Sequence, residues 1–140
     1  MNYIFDTNVF LIYMKNAETK IKLTRTFELD NPDNISILSI VTLGEIYALA
    51  LKNNWGEKRI SAIADFVKKF VIVDVTNSDL IQTYAQIDAF SQGKILTKPL
   101  HSTARNMGKN DLWIAATAAV TKSTLLTTDK DFVHLDQIFS

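Results

Sequence analysis

The chain has 140 residues, and its 15 lysines and arginines balance its 15 aspartates and glutamates, so the formal net charge is zero. This balance excludes a uniformly basic surface for binding nucleic acid, although it leaves room for a local basic patch. The sequence contains no cysteine, which excludes a disulfide framework, a zinc ribbon and a cysteine nucleophile.

Short apolar runs alternate along the chain with amphipathic segments, a pattern typical of strands that alternate with helices. The predicted strands are 3–5, 35–40, 71–75 and 124–127, and the predicted helices are 9–14, 18–29, 41–51, 55–70, 78–90 and 110–119. This alternation predicts a three-layer α/β/α sandwich whose mostly parallel central sheet has four to five strands. We expect one domain over residues 1–140, and we expect it in the cytoplasm because no apolar run approaches the roughly 20 residues of a membrane-spanning helix.

Helical periodicity and capping residues predict how the helices begin and which faces they bury. The predicted apolar face of the third helix is Leu43, Ile46, Tyr47 and Ala50, and in the fifth helix Ile81, Tyr84, Ala85 and Asp88 stand in helical register. Ser78 and Asn110 are predicted N-caps, and the helix after Asn110 is apolar almost all round, so we expect it to be buried. Residues 91–109 show no sustained period and predict a long loop, a feature that is usually functional in a compact domain.

Four acidic residues fall at strand ends or near helix starts. Asp6 follows the first strand and Asp129 the last, while Asp111 lies in the first turn of the buried helix and Glu45 lies one turn into the helix that follows the second strand. Because active sites of parallel sheets form beyond the carboxyl ends of the strands, we expect these acids to meet at one edge. A sulfur-free set of carboxylates is the preference of Mg²⁺ or Mn²⁺, which would relieve their repulsion and suits phosphodiester hydrolysis.

Each acid also has a purely structural explanation. Asp6 could cap the first helix, Asp111 suits the positive end of a helix dipole, and Asp129 is an ordinary turn residue. Glu45 shares a helical face with Thr42, away from the predicted apolar stripe, so on its own it is a solvated surface residue. The joint position of the four acids, rather than any one of them, predicts a site.

Four motifs, in their order and spacing, resemble the PIN-domain family. They are Ile4-Phe5-Asp6-Thr7-Asn8, Thr42-Leu43-Gly44-Glu45-Ile46, Asn110-Asp111-Leu112-Trp113-Ile114-Ala115-Ala116, and Leu125-Leu126-Thr127-Thr128-Asp129-Lys130-Asp131-Phe132. The resemblance spans almost the whole chain, and a chain of this length is most similar to the VapC-type toxins of toxin–antitoxin pairs. It implies a Mg²⁺- or Mn²⁺-dependent endoribonuclease, made as a homodimer and held silent by a small antitoxin protein.

The resemblance also implies roles for single residues. The positions that match acidic catalytic and metal-binding residues are Asp6, Glu45, Asp111 and Asp129, with Asp131 as a further acid that some members have. The positions that match polar residues supporting these carboxylates are Thr7, Asn8 and Thr127, and Asn110 fits a cap or a similar supporting contact. The chain departs from the family in two places, because residues 92–109 are longer than the usual connection and the final edge strand after Phe132 is short or missing.

The predicted loop carries a separate signal in its charges. No acid occurs between Asp88 and Asp111, whereas four cations occur there, namely Lys94, Lys98, Arg105 and Lys109. Such a segment is either a solvated loop or a flap whose cations hold the phosphates of an RNA backbone beside the metal site.

The chain has more apolar residues than one buried helical stripe requires, and this surplus predicts an interface. Phe10, Leu11, Leu49 and Leu51 are the surplus residues, and they suit self-association or the binding of an antitoxin.

Two other functions stay open at this point. One is a non-catalytic PIN-like protein that binds RNA or regulates, and the other is an acid-rich α/β phosphatase, in which a second aspartate would be expected at the position of Asn8.

Overall fold

The computed structural model of the chain describes residues 1–135. The elements, in chain order, are β1 (Asn2–Phe5), α1 (Thr7–Lys15), α2 (Ala17–Phe27), β2 (Ile35–Ser39), α3 (Ile40–Lys52), α4 (Glu57–Val67), β3 (Val71–Val73), α5 (Ser78–Ser91), α6 (Lys109–Val120), β4 (Ser123–Leu126) and a 3₁₀ helix (Lys130–Leu135). No helix among these residues has the length and apolar character that a bilayer crossing needs. The alternation of strands and helices is the one that the sequence predicts.

The four described strands form one parallel sheet in the order β3-β2-β1-β4. In the register of the sheet, Phe5 at the end of β1 pairs with Leu126 at the end of β4, and Ser39 at the end of β2 pairs with Val73 at the end of β3. All four strands therefore finish at the same edge, which confirms the predicted α/β sheet. The prediction about a final edge strand falls on residues 136–140, outside the described residues.

Helices cover both faces of the sheet and make the predicted three layers. On one face, Ile4 and Ile37 pack against α5, α6 and the 3₁₀ helix. On the other face, Phe5 and Leu38 pack against α1, α3 and α4. This division follows from the alternation of side chains along a strand, which sends neighbouring residues to opposite faces. The second face holds an aromatic cluster, made of Phe5, Phe10, Tyr13, Phe66 and Phe70.

Several predicted boundaries shift by a few residues, and a helix cap explains one of the shifts. Ile40 begins α3 rather than ending β2, because the Ser39 hydroxyl accepts a hydrogen bond from the Val41 N–H at 3.2 Å and starts the helix there. The prediction that Ser78 caps α5 is wrong. The Asn77 side chain does so instead, accepting from the Asp79 N–H at 2.8 Å. Strand β3 and helix α4 are shorter than predicted.

The buried face of α5 differs from the predicted one by a rotation of the helix. Leu80, Ile87 and Phe90 are buried, whereas Ile81, which the prediction places inside, is 49% exposed. The predicted Tyr84 is half-buried, and its ring lies 4.2 Å from the ring of Trp113 on α6. Both stripes of α5 contain apolar residues, so packing against α6 decides which one is covered.

Two other predictions about burial are wrong. Thr42, predicted to lie on a solvated face of α3, is completely buried together with Ile46. Phe10, predicted as surplus apolar surface, is also completely buried, with its ring 5.3 Å from that of Phe66. Leu51, by contrast, is 78% exposed and fits the predicted surplus. Helix α1 is therefore held by the core through Phe10 rather than offering that side chain to a partner.

Candidate active site

Five carboxylates gather at the edge of the sheet where the strands end, and we call this group the acid edge: Asp6, Glu45, Asp111, Asp129 and Asp131. Asp111, Asp129 and Asp131 each offer an oxygen, and these three oxygens lie within 4.8 Å of one another. The three residues come from the first turn of α6, the turn after β4 and the 3₁₀ helix. Separate elements therefore bring these three side chains together, as the sequence predicts for one edge of a parallel sheet.

The pKa of Asp111 shows that the acid edge is electrostatically crowded. Burial is the largest cause that raises the pKa of this carboxyl to about 6, and the negative charges of Asp129, Glu45, Asp131 and Asp6 add to it in that order. Each of the four other acids thus acts on Asp111, including Glu45 from the opposite helical layer. Carboxylates repel one another in this way when no cation lies between them.

Asp6 is fixed by contacts with both of its oxygens. The residue is only 5% exposed, and its Oδ1 accepts a hydrogen bond of 2.8 Å from the Val9 N–H, so that it caps α1. Its Oδ2 accepts a hydrogen bond from the Thr127 hydroxyl at the end of β4. The capping explanation of Asp6 is therefore right, and the same side chain also belongs to the acid edge.

Three consecutive hydrogen bonds fix the conformation of the residues that follow β4. The Thr127 hydroxyl, besides donating to Asp6, accepts from the Asp129 N–H at 2.9 Å. The Asp129 carboxylate in turn accepts from the Asp131 N–H at 2.9 Å. Side chains that bind the backbone two residues on are typical of tight turns. This turn fixes Asp129 and Asp131 relative to Asp6, across the junction between β1 and β4.

Helix α6 positions Asp111 because its own packing leaves it little freedom. Leu112, Ile114 and Ala116, which follow Asp111, are almost completely buried, so the orientation of the first turn is set by the core. Asn110 does not cap this helix, contrary to the prediction. The N-cap is Gly108, without a side-chain hydrogen bond, and Asn110 lies exposed within the first turn.

The other predicted polar residues differ in their surroundings. Thr7 is buried, and its hydroxyl has no hydrogen-bond partner among residues 1–135, whereas Asn8 is exposed to solvent. Thr42, to which the sequence analysis gives no role beyond sharing a face with Glu45, resembles Thr7, since its buried hydroxyl also has no partner within the described part of the chain. A signal is available for Thr42, because it precedes Glu45 by three residues and so lies on the same side of α3.

The four predicted cations of the loop do not lie in one environment. Lys109 lines a pocket of about 350 Å³ together with Glu45 and Asp111. Lys94 and Lys98 are exposed, and Arg105 is half-buried. Residues 92–108, which we call the basic loop, thus connect exposed cations with the first turn of α6.

His134, a residue of the 3₁₀ helix without a predicted role, contacts the end of α5, where the basic loop begins. Its Nε2 lies 2.6 Å from the hydroxyl of Ser91, and its ring is parallel to that of Phe90. Burial lowers the pKa of His134, and the positive charge of Arg105 lowers it further. No sequence pattern indicates this contact, because Ser91 and His134 are 43 residues apart.

Comparison with known proteins shows the family and relatives to which the chain is similar. The family model of the PIN domain matches residues 3–138. Ribonuclease VapC1 of Haemophilus influenzae (strain R2866) is 28% identical over 139 residues, which are 99% of this chain and 95% of the relative. Ribonuclease VapC2 of Haemophilus influenzae (strain KW20 / Rd) is 30% identical over 118 residues, which are 84% of this chain and 79% of the relative.

Solved structures show the same fold. VapBC-1 from nontypeable Haemophilus influenzae matches with a TM-score of 0.74 and 28% identity, covering 96% of this chain and 92% of the matched chain. VapBC2 from Rickettsia felis, bound to a DNA fragment from its promoter, matches with a TM-score of 0.71 and 22% identity, covering 95% of this chain and 92% of the other. The sheet and helical layers described above thus recur in toxin–antitoxin complexes.

Proposed function

Since the chain belongs to the PIN-domain family, we propose that it is an endoribonuclease of the VapC type, which hydrolyses phosphodiester bonds of RNA at the acid edge. The observation that carries the proposal is that four other carboxylates act on the charge of Asp111, and that one oxygen each of Asp111, Asp129 and Asp131 lie within 4.8 Å of one another. The names of the relatives, which are VapC ribonucleases, support the same activity.

The acid edge fits a divalent cation, and we propose Mg²⁺ or Mn²⁺ as the cofactor. The donors are all carboxylate oxygens, which these hard cations prefer, and no cysteine or histidine belongs to the group. The raised pKa of Asp111 indicates repulsion that a cation would relieve. When bound, such a cation supplies positive charge to a phosphoryl oxygen and lowers the pKa of a water that it binds.

The residues of the acid edge have different tasks in this proposal. Asp111, Asp129 and Asp131 would hold the cation, since their oxygens are the ones that converge. Asp6, fixed by Thr127, would keep a carboxylate at the junction of β1 and β4, and Glu45 would complete the group from α3. Lys109, in the same pocket as Glu45 and Asp111, would meet a phosphate of the RNA.

An antitoxin protein is the proposed partner, and a homodimer is the proposed assembly. Two of the matched structures are VapBC complexes, one of them bound to promoter DNA, which supports a protein partner for this chain. The exposed Leu51 and the half-buried Leu11 and Leu49 supply apolar surface for these contacts. We further propose that residues 1–140 act as one domain in the cytoplasm.

The test is a charge-removing substitution of Asp111 with a matched control. Asp111→Asn should lower the rate of RNA cleavage in Mg²⁺ or Mn²⁺ by at least about 100-fold, because it removes a cation ligand from the convergent group. Calorimetric titration with Mn²⁺ should show a correspondingly weaker affinity. Both are measured on purified protein, with a short single-stranded RNA as the substrate.

The control is Asp79→Asn, which removes another first-turn aspartate, from α5, whose charge is not among those that act on Asp111. It should cleave RNA and bind Mn²⁺ as the wild type does. Cleavage by Asp111→Asn at the wild-type rate would contradict the proposed site. Binding of RNA without cleavage by the wild type, in either cation, would instead favour the non-catalytic alternative.

A further inference from the structure

Ser91, the last residue of α5, joins three segments that are far apart in the sequence. It is completely buried, and its carbonyl oxygen accepts a hydrogen bond of 2.8 Å from the N–H of Arg105 in the basic loop. Its hydroxyl lies 3.3 Å from the sulfur of Met107, in the same loop. The same hydroxyl lies 2.6 Å from Nε2 of His134, on the 3₁₀ helix.

The partners of Ser91 continue directly into the acid edge. The basic loop ends at Gly108 and is followed by α6, whose first turn contains Asp111. The 3₁₀ helix that carries His134 also carries Asp131. One buried serine therefore connects the chain segments that flank two of the carboxylates, although it is not itself a member of the acid edge.

Most of the basic loop has little buried surface. Its residues from Lys94 to Pro99 are exposed apart from Ile95, and Leu96 is 98% exposed. Met107 is the one residue of the loop that is buried, and it packs beside Phe90 in the core cluster. A loop of this kind is ordered mainly by its few fixed contacts.

We propose that Ser91 and His134 form a positioning pair that holds the 3₁₀ helix against the end of α5, where the basic loop begins, and so keeps the loop, and Lys109 that follows it, in place for RNA binding at the acid edge. The role in RNA binding rests on the proposed function, whereas the anchoring of the loop does not. Loss of the pair leaves the loop with the Arg105 N–H bond to the Ser91 carbonyl and the packing of Met107, so the loop opens more often and more RNA encounters must order it again. The carboxylates keep their own contacts through Thr127 and the core of α6.

The test compares Ser91→Ala with Ser123→Ala. Ser123 is also a buried serine with one short side-chain contact, 2.5 Å to the hydroxyl of Thr121, but it lies at the start of β4, at the sheet edge opposite the acids. Ser91→Ala should raise the KM for RNA about tenfold, the scale of one lost hydrogen bond with its ordering effect, and should change kcat less than about twofold. Ser123→Ala should change neither constant.

A second measurement needs no RNA. Trypsin should cut after Lys94 about tenfold faster in Ser91→Ala than in the wild type or in Ser123→Ala, because the loop opens more often. His134→Gln, which can still offer an amide to the serine, should fall between the wild type and Ser91→Ala in both measurements. The double variant Ser91→Ala/His134→Ala should be no worse than Ser91→Ala alone if the two residues act as a unit.

The outcomes separate the two proposals. An unchanged tryptic rate in Ser91→Ala would overturn the anchoring, and a faster rate with an unchanged KM would overturn the positioning role. A fall in kcat at constant KM would also overturn it, since the pair would then act on the chemistry. If the wild type cleaves no RNA, the proposed function fails, and the tryptic rate still decides whether the pair anchors the loop.

Discussion

The side chains of the aromatic cluster attract one another, whereas the carboxylates of the acid edge repel one another. In the aromatic cluster, five rings lie with centroids 5.0 to 5.5 Å apart, in tilted and edge-on arrangements that attract one another. At the acid edge, burial and the mutual repulsion of five carboxylates raise the pKa of Asp111 to about 6. The aromatic contacts stabilise the fold, whereas the repulsion on the Asp111 carboxylate opposes it until a cation is bound.

Several cations contact aromatic rings on the face of the sheet that carries the aromatic cluster. Lysines and arginines lie over the aromatic side of the protein, with the Arg59 guanidinium 3.7 Å from the ring of Trp55 and the Lys20 ammonium 5.4 Å from the ring of Phe66. Cations over ring faces are attracted by the electron density of the rings. The net charge of zero is therefore a sum over different local environments, since other cations pair with acids, as Lys68 does with Asp65, and Lys109 lies in the pocket of Glu45 and Asp111.

The largest expected effect on stability comes from breaking the aromatic cluster. Phe10→Ala should lower the free energy of unfolding by about 3–5 kcal/mol, because it leaves a cavity at a completely buried position between Phe66 and Phe70. Urea unfolding, followed by far-UV circular dichroism, measures the loss. Ile12→Ala, a control on the same helix at a 43% exposed position, should cost less than about 1 kcal/mol. An equal loss in the two variants would mean that α1 is not held by this cluster.

An intermediate effect is expected at Asp6, because this residue both caps α1 and belongs to the acid edge. Asp6→Asn keeps a side-chain oxygen for the Val9 N–H but loses the charge and the acceptor for the Thr127 hydroxyl, so it should cut RNA cleavage by at least about 100-fold and should cost less stability than Asp6→Ala. Asp6→Ala should lose the same activity and, in addition, about 1 kcal/mol of stability with the helix cap. The pair of variants is measured by cleavage rate and by urea unfolding. Wild-type cleavage by Asp6→Asn would restrict this residue to its capping role.

The smallest expected effect is a dependence of stability on pH. Because the pKa of Asp111 in the folded protein is raised, to about 6, its contribution is complete only at low pH and is lost as the pH rises through 6. In a chelator, Asp111→Asn should therefore be more stable than the wild type at pH 7.5, by about 1 kcal/mol after allowance for the partial exposure of the group. The difference should shrink as the pH falls below 6, and saturating Mn²⁺ should reverse it. A difference that does not vary with pH would show that the substitution acts through something other than the lost charge.

The sequence predicts the acid edge better than it predicts the helix faces. Asp6 and Asp129 follow strands, and the direction of parallel strands alone brings strand ends to one edge, so these positions need no knowledge of packing. The face of α5 needs such knowledge, since Leu80 and Ile81 are both apolar and only contact with α6 distinguishes them. For the same reason the periodicity of α3 places Thr42 on the wrong side of its helix.

Contacts between distant segments are also beyond prediction from local patterns. Ser91 and His134 are ordinary residues in their own neighbourhoods, and the chain must fold before they meet. The capping of α5 by Asn77 rather than Ser78 is a smaller case, because adjacent residues of equal capping ability are separated only by the position at which the helix starts. Local patterns predict the elements, and tertiary contacts decide between near-equal local choices.

The central place of β1 in the sheet has a consequence for the synthesis of the protein. The Asp6 N–H binds the Leu126 carbonyl at 3.2 Å, and the Asp6 carboxylate binds Thr127, so the sixth residue meets its partners only when the strand β4 has emerged from the ribosome. Asp129 and Asp131 follow later still. A nascent or truncated chain that ends before β4 thus has neither the four-stranded sheet of the described residues nor the convergent carboxylates. The topology delays a potentially harmful activity until β4 and the turn after it have been translated.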